Sequence, residues 1–140
     1  LAVETKLKPI ICVGENFIER EIGKVVNFVD TLILECLKER VEEIIIAYEP
    51  IWSIGTGKIP HKTEIKEMHE NITEIVNSKT KKKVKILYGG SVNENNIEEI
   101  LSVNNVGGVL VGGASLKIKD FLAIYSSAVK YLDKIHNIKD

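Results

Sequence analysis

The 140 residues carry 19 Lys and Arg against 20 Asp and Glu, and 44% of them are hydrophobic, enough for one domain, or part of one, with a real apolar core. A net charge of −1 supplies no broad field for drawing in nucleic acid or an anionic membrane, so any anion that binds is held locally. No apolar run reaches the roughly 18–20 residues of a spanning helix, no basic-then-apolar leader opens the chain, and Cys12 and Cys36 lack metal or redox spacing; a reducing, cytoplasmic compartment is expected.

The chain starts at Leu1, and its single methionine, Met68, falls inside a helical pattern. An incomplete chain is the expectation. Four short apolar runs, at residues 9–13, 44–48, 84–88 and 108–111, are continuous rather than alternating, the pattern of parallel strands buried on both faces. A turn and a helical rhythm follow each. After the first come Ile22, Val25, Val26, Val29, Leu32, Ile33, Cys36 and Leu37, spaced by threes and fours on one stripe of a helix. The second helix carries Ile65, Met68, Ile72, Ile75 and Val76. The third is short, with Asn93 as its N-cap before Ile97, Ile100 and Leu101. The last presents Phe121, Ile124, Tyr125, Ala128, Leu132 and Ile135 on one face. Four strand-then-helix units in succession imply a right-handed βα wind, either an open doubly wound sheet or part of a closed barrel. Lys79 and the four residues after it read as a solvated loop.

The strongest chemical signal runs from Ala47 to Lys58: Ala-Tyr-Glu-Pro-Ile-Trp-Ser-Ile-Gly-Thr-Gly-Lys. Glu49 stands at the C-terminal end of a buried strand, the edge where parallel α/β folds keep their active sites. The adjoining Pro50 restricts its backbone to extended conformations. Taken alone, Glu49 reads rather as the cap of an exposed turn. The segment beyond it has the parts of a hinged lid: a stiff stem at Pro50, bulky Trp52, an apolar tip at Ile54, Thr56, the glycines Gly55 and Gly57, and Lys58. Two glycine pairs, Gly89-Gly90 before Ser91 and Gly112-Gly113 before Ala114, could bring backbone N–H groups close to a phosphate, the second with a short helical turn behind it. Each pair alone reads better as a tight turn after a strand; both together, beside Gly55, favour the phosphate cradle. Cys12, within an apolar strand and without a base in view, reads as a small core residue. His61, His69 and His136 read as surface or partly buried structural residues. Glu15 and Arg20 are expected to fix local loop geometry through charge-assisted bonds.

The stretch after Ala47 resembles, almost residue for residue, the catalytic strand and lid of the triosephosphate isomerase family. Cys12-Val13-Gly14-Glu15, then Glu19-Arg20 and Gly23, resemble that family's fifth strand and the turn into its helix. Tyr88-Gly89-Gly90-Ser91-Val92 resembles its seventh loop, and residues 110–116, Leu-Val-Gly-Gly-Ala-Ser-Leu, its eighth strand and loop. Ser53 and Lys62 are mild departures, standing where alanine and proline are common.

The resemblance implies an α/β fold, the C-terminal half of a (β/α)8 TIM barrel with four βα units and parallel strands. Residues 1–140 would be the C-terminal part of one barrel domain of roughly 250 residues, the N-terminal half absent. It implies interconversion of dihydroxyacetone phosphate and D-glyceraldehyde 3-phosphate, in glycolysis and gluconeogenesis, by proton transfer through an enediolate. Glu49 would be the base, working with a neutral histidine electrophile that, like the family's asparagine and lysine, has no counterpart in this sequence. Gly55, Ser91, Gly112 and Gly113 would bind the substrate phosphate, and Pro50, Trp52, Ile54, Thr56, Gly57 and Lys58 would belong to the lid. No metal and no cofactor is implied; a triose phosphate is the partner, with homodimerisation carried by analogy. The alternative is a stand-alone half-barrel that binds phosphate or self-associates without catalysis.

Overall fold

The computed structural model describes residues 7–21, 30–31, 33, 44–54, 56, 58–79 and 84–137. Most of the stripe expected between Ile22 and Leu37 therefore lies outside the described residues, as do Gly23, Gly55 and Gly57. Asp30, Thr31 and Ile33 are helical, and Ile33 is buried.

Three parallel strands form one sheet in the order β1 (Ile10–Val13), β2 (Ile44–Tyr48) and β3 (Val84–Tyr88). Their registers align Val13 with Tyr48 and Tyr48 with Tyr88. Isoleucine and valine dominate these segments, and their branched side chains suit a pleated surface. The fourth apolar run does not form a strand among the described residues; it contributes a single parallel bridge from Val109 to Tyr88. The backbone still follows β3 there, with the Gly107 N–H donating to Ile86 O at 2.7 Å and the Leu110 N–H to Tyr88 O at 2.9 Å. Gly108 enters the run at φ 152°, outside extended geometry, and that shortens the ladder to one step.

Side-chain to backbone bonds mark the starts of three helices. Before α1 (Phe17–Glu21), the Asn16 side chain accepts the Glu19 N–H at 3.0 Å and Glu19 accepts the Asn16 N–H at 2.7 Å. α2 (Lys62–Lys79) begins where the Glu64 carboxylate accepts the His61 N–H at 2.6 Å. Ahead of α3 (Ile97–Leu101), Asn93 accepts the Asn95 N–H at 2.9 Å while Asn96 accepts the Asn93 N–H at 2.8 Å. Asn93 thus caps one turn upstream of the regular helix. α4 (Ile118–His136) comes after a 3₁₀ turn at Gly113–Leu116.

The core forms on one side of the sheet. Val13, Ile46, Tyr48, Ile86 and Tyr88 pack with Ile65, Met68, Ile72 and Val76 of α2, with Ile97 and Ile100 of α3, and with Ile124 of α4. Each of the fully buried isoleucines contributes roughly 1.5–3 kcal/mol by leaving water. Among the described residues, burial on both faces holds for the central strand, where Ala47 is buried on the second face, but not for β1 and β3. Side chains alternate across a strand, so Ile10, Cys12, Lys85 and Leu87 face the other way, where Ile10, Cys12 and Lys85 are exposed. The α4 stripe is likewise only partly covered: Ile124 is buried, but Phe121, Tyr125 and Leu132 are exposed.

Candidate active site

Gly14, Glu49 and Gly89 are the residues directly after the aligned strand ends Val13, Tyr48 and Tyr88. The Glu49 backbone is pinned from both sides. Its N–H, one step beyond β2, donates to the carbonyl of Val13, the last residue of β1, at 2.7 Å, and the Tyr48 carbonyl before it accepts the Gly89 N–H at 2.8 Å. Pro50, buried at φ −60° and ψ 102°, keeps the exit extended. Alternation then turns the Glu49 side chain away from the helix-packed core and onto the open face, with Cys12 and Ala47.

Close approach explains two of the surrounding glycines. A Cβ at Gly89 would stand 2.5 Å from Glu49 Cγ and 3.1 Å from Oε1, and a Cβ at Gly14 would run into the Glu49 carbonyl. Only glycine at both positions lets the carboxylate lie across the C-terminal rim of the sheet. Cys12 is not a core residue: it is exposed, and the Glu49 carboxylate is a neighbour that the strand pattern alone does not reveal. Its thiol pKa is raised, first by desolvation and then by the charge and the hydrogen bond of Glu49. The thiol stays protonated and donates toward the carboxylate.

A buried carboxylate braces the other side. Glu15 is 0% exposed, and its Oε1 accepts the Trp52 indole N–H at 2.7 Å and the Tyr48 hydroxyl at 3.2 Å. The Ile51 N–H donates to Glu15 O at 2.9 Å. Glu15 thereby holds the loop through the Trp52 and Tyr48 donors; the Arg20 side chain lies outside the described residues. Burial raises the Tyr88 pKa, against a smaller lowering by Ser53, and the Glu15 charge raises it further.

The loop leaves β2 through a 3₁₀ turn at Ile51–Ser53. Trp52 is half-buried, Ser53 is buried, and Ile54, Thr56 and Lys58 are exposed. Thr56 folds the loop back on itself, its hydroxyl donating to Ser53 O at 3.1 Å and accepting the Lys58 N–H at 3.2 Å. Ser91, after β3, donates its hydroxyl to Ser53 O at 2.6 Å. The two loops therefore touch. Gly112 and Gly113 come after the Val109 bridge at the same rim, exposed, and a Cβ at either would meet nothing within 4 Å. Internal packing does not require glycine there, which leaves room for a ligand to approach the backbone.

Sequence reasoning passed over Gly14, Ser53 and the Cys12 thiol as parts of this site. A glycine directly after β1 and another directly after β3, flanking the glutamate after β2, was the signal available. Among the histidines, His61 and His136 are exposed, but His69 is fully buried, against the expectation for it. Its Nδ1 lies 3.1 Å from Asn105 O, its ring meets Tyr48 edge-on at 6.0 Å, and burial lowers its pKa to about 4. Among the described residues, no three His, Cys, Asp or Glu side chains converge as a metal site, and no helix is long and apolar enough to cross a membrane.

Comparison with known proteins places this rim in context. A family model described as triosephosphate isomerase matches residues 1–128. A triosephosphate isomerase from Hyphomonas neptunium is 43% identical over 134 residues, covering 92% of this chain and 54% of the relative. One from Francisella tularensis subsp. mediasiatica is 42% identical over 135 residues, 91% of this chain and 53% of the relative. One from Campylobacter jejuni subsp. jejuni is 46% identical over 123 residues, 88% and 52%. The chain spans about half the length of these curated relatives.

Proposed function

The chain belongs to the triosephosphate isomerase family, and we propose that it supplies the base and much of the phosphate site of that isomerase. In this reading residues 1–140 are the C-terminal part of a single TIM-barrel domain, four βα units corresponding to strands five to eight. The complete enzyme interconverts dihydroxyacetone phosphate and D-glyceraldehyde 3-phosphate in the cytoplasm as a homodimer, and this piece needs the other half for full activity.

Glu49 takes the proton beside the substrate carbonyl and returns it to the adjacent carbon. The loop carrying Pro50, Trp52, Ile54, Thr56, Gly57 and Lys58 excludes water and protects the phosphate of the intermediate. N–H groups of Gly55, Ser91 and Gly113 hold the phosphate, with Gly112 lining it.

The observation that carries this reading is the carboxylate laid across the strand ends, its backbone pinned at 2.7 Å to Val13 and Tyr48 pinned at 2.8 Å to Gly89. A base on so fixed a stem loses little reach to disorder. In the complete enzyme, Glu49→Gln lowers kcat by roughly 10²–10⁴-fold and leaves affinity for phosphate ligands nearly unchanged. Near-normal turnover would remove Glu49 from the role of base.

A second reading has one observation in its favour. Leu116, Ile118 and Tyr125 are 87%, 76% and 61% exposed, an apolar surface that suits a self-associating half-barrel. Light scattering on the purified 140-residue chain, with an isomerase assay alongside, separates the two: inactive oligomers favour self-association, and activity restored by adding the other half favours the isomerase.

A further inference from the structure

Ser53 is fully buried at the base of the loop, 0% exposed, and more bonds converge on it than its small side chain suggests. Its hydroxyl donates to Lys58 O at 2.6 Å, reaching the opposite limb of the same loop. Its carbonyl accepts the Ser91 hydroxyl at 2.6 Å and the Thr56 hydroxyl at 3.1 Å. The remaining lone pairs of the hydroxyl face the Ser91 N–H at 3.4 Å and the Tyr88 hydroxyl, whose pKa burial raises and Ser53 lowers. Ser91 is in turn tied to the cap of α3, its carbonyl accepting the Asn96 amide at 3.0 Å.

The distances rank these contacts. A hydroxyl bond of 2.6 Å is short and strong, whereas an N–H···O contact of 3.4 Å is beyond the usual range of roughly 2.7–3.2 Å. The hydroxyl has one proton, and Lys58 receives it. The Ser91 amide is therefore held in place without being firmly engaged, and an anionic oxygen, a stronger acceptor, takes it readily.

We propose that Ser53 is a positioning residue: its hydroxyl clasps the two limbs of the loop after Glu49, and its carbonyl fastens them to Ser91, so that the Ser91 amide is aimed and available for a phosphate oxygen. Removing the hydroxyl has two opposed effects. It frees the Ser91 amide from a weak competitor, which favours phosphate, and it unclasps the loop, which disfavours it. The short bond outweighs the long one, so the net effect is weaker binding. This role deepens the phosphate site proposed above, and only its ligand readout depends on that site.

Hydrogen exchange read by mass spectrometry on the full chain tests it. Without ligand, Ser53→Ala speeds exchange roughly 5-fold, about the value of one buried hydrogen bond, in both segments 51–58 and 89–92 while α2 keeps its rate. Ser91→Ala, approaching the tie from the other side, speeds exchange in segment 51–58 as well. Acceleration confined to the mutated segment overturns the proposal, and so does acceleration that spreads through α2, which marks general loss of stability. In the second arm, inorganic phosphate slows exchange in segment 89–92 of the wild-type chain, and Ser53→Ala raises its Kd roughly 5-fold. Absence of protection in the wild type counts against the phosphate site, while the ligand-free exchange still decides the role of Ser53. A Kd that Ser53→Ala leaves unchanged or lowers overturns the positioning role.

Discussion

The Trp52 indole N–H donates to the Glu15 carboxylate at 2.7 Å, so the loop after β2 is anchored to the turn after β1 by two side chains 37 residues apart. Because the Tyr48 hydroxyl shares the same oxygen, one buried carboxylate serves donors from both the strand and its exit.

Glu15→Ala leaves two donors without that acceptor and costs roughly 1–3 kcal/mol of stability, read from urea denaturation. Trp52 is the single tryptophan of the sequence, so its emission reports the same event locally. A red shift is expected in Glu15→Ala, with a smaller one in Glu15→Gln, which keeps an accepting oxygen. Emission identical to wild type in both variants would show that the bond does not hold the indole.

Gly89→Ala places a methyl 2.5 Å from Glu49 Cγ. The backbone on either side is hydrogen-bonded at 2.7 and 2.8 Å, so the carboxylate side chain gives way. If Glu49 is the base, a misplacement of about 1 Å lowers kcat roughly 10²-fold. Steady-state kinetics of the complete enzyme check it, and unchanged kcat would mean that the carboxylate has another productive position.

Gly112→Ala and Gly113→Ala make the converse case. Neither new methyl meets an atom within 4 Å, and thermal denaturation should register changes within about 0.5 kcal/mol, as for ordinary surface substitutions. Calorimetric titration with inorganic phosphate should nevertheless show weaker binding. Loss of stability with binding intact would reverse the assignment of these glycines from ligand approach to folding.

His69 predicts an acid-side loss of stability. Its pKa falls from 6.5 to about 4 on folding, so between these values the unfolded chain binds the extra proton. The stabilisation is fully present above pH 6.5, declines as pH falls, and is exhausted near pH 4, amounting to roughly 3 kcal/mol. Comparing urea midpoints at about pH 7 and about pH 4.5 for wild type and His69→Gln isolates it. The variant should show the shallower pH dependence; parallel curves would assign the acid loss to other groups.

How far the sequence could be read depended on how local each signal is. The α2 stripe was legible because Ile65, Met68, Ile72 and Val76 meet the sheet at helical spacing; the cap of α3 was legible only to within a turn, since Asn96 and not Asn93 stands directly before the regular helix. His69 was not, since a polar residue within an apolar stripe gives no sign that Asn105, 36 residues on and at φ 66°, turns its carbonyl toward the ring. Nor was the place of Cys12, which depends on the register that aligns it with Ala47 and so brings its thiol to the carboxylate two residues further. The fourth run shows a single parallel bridge, and apolar composition carries no information about the glycine at φ 152° that enters it.

The division of the sheet into a helix-packed face and an open one has a practical consequence for engineering. Ile46, Tyr48, Ile86 and Tyr88 lie on the first, while Ile45, Ala47, Lys85 and Leu87 alternate onto the second with Glu49. A combinatorial library restricted to positions 45, 85 and 87 would vary the floor beneath the carboxylate while sparing the residues that seat the helices. Variation would then be confined to one parity of the strands, with thermal tolerance carried by the other.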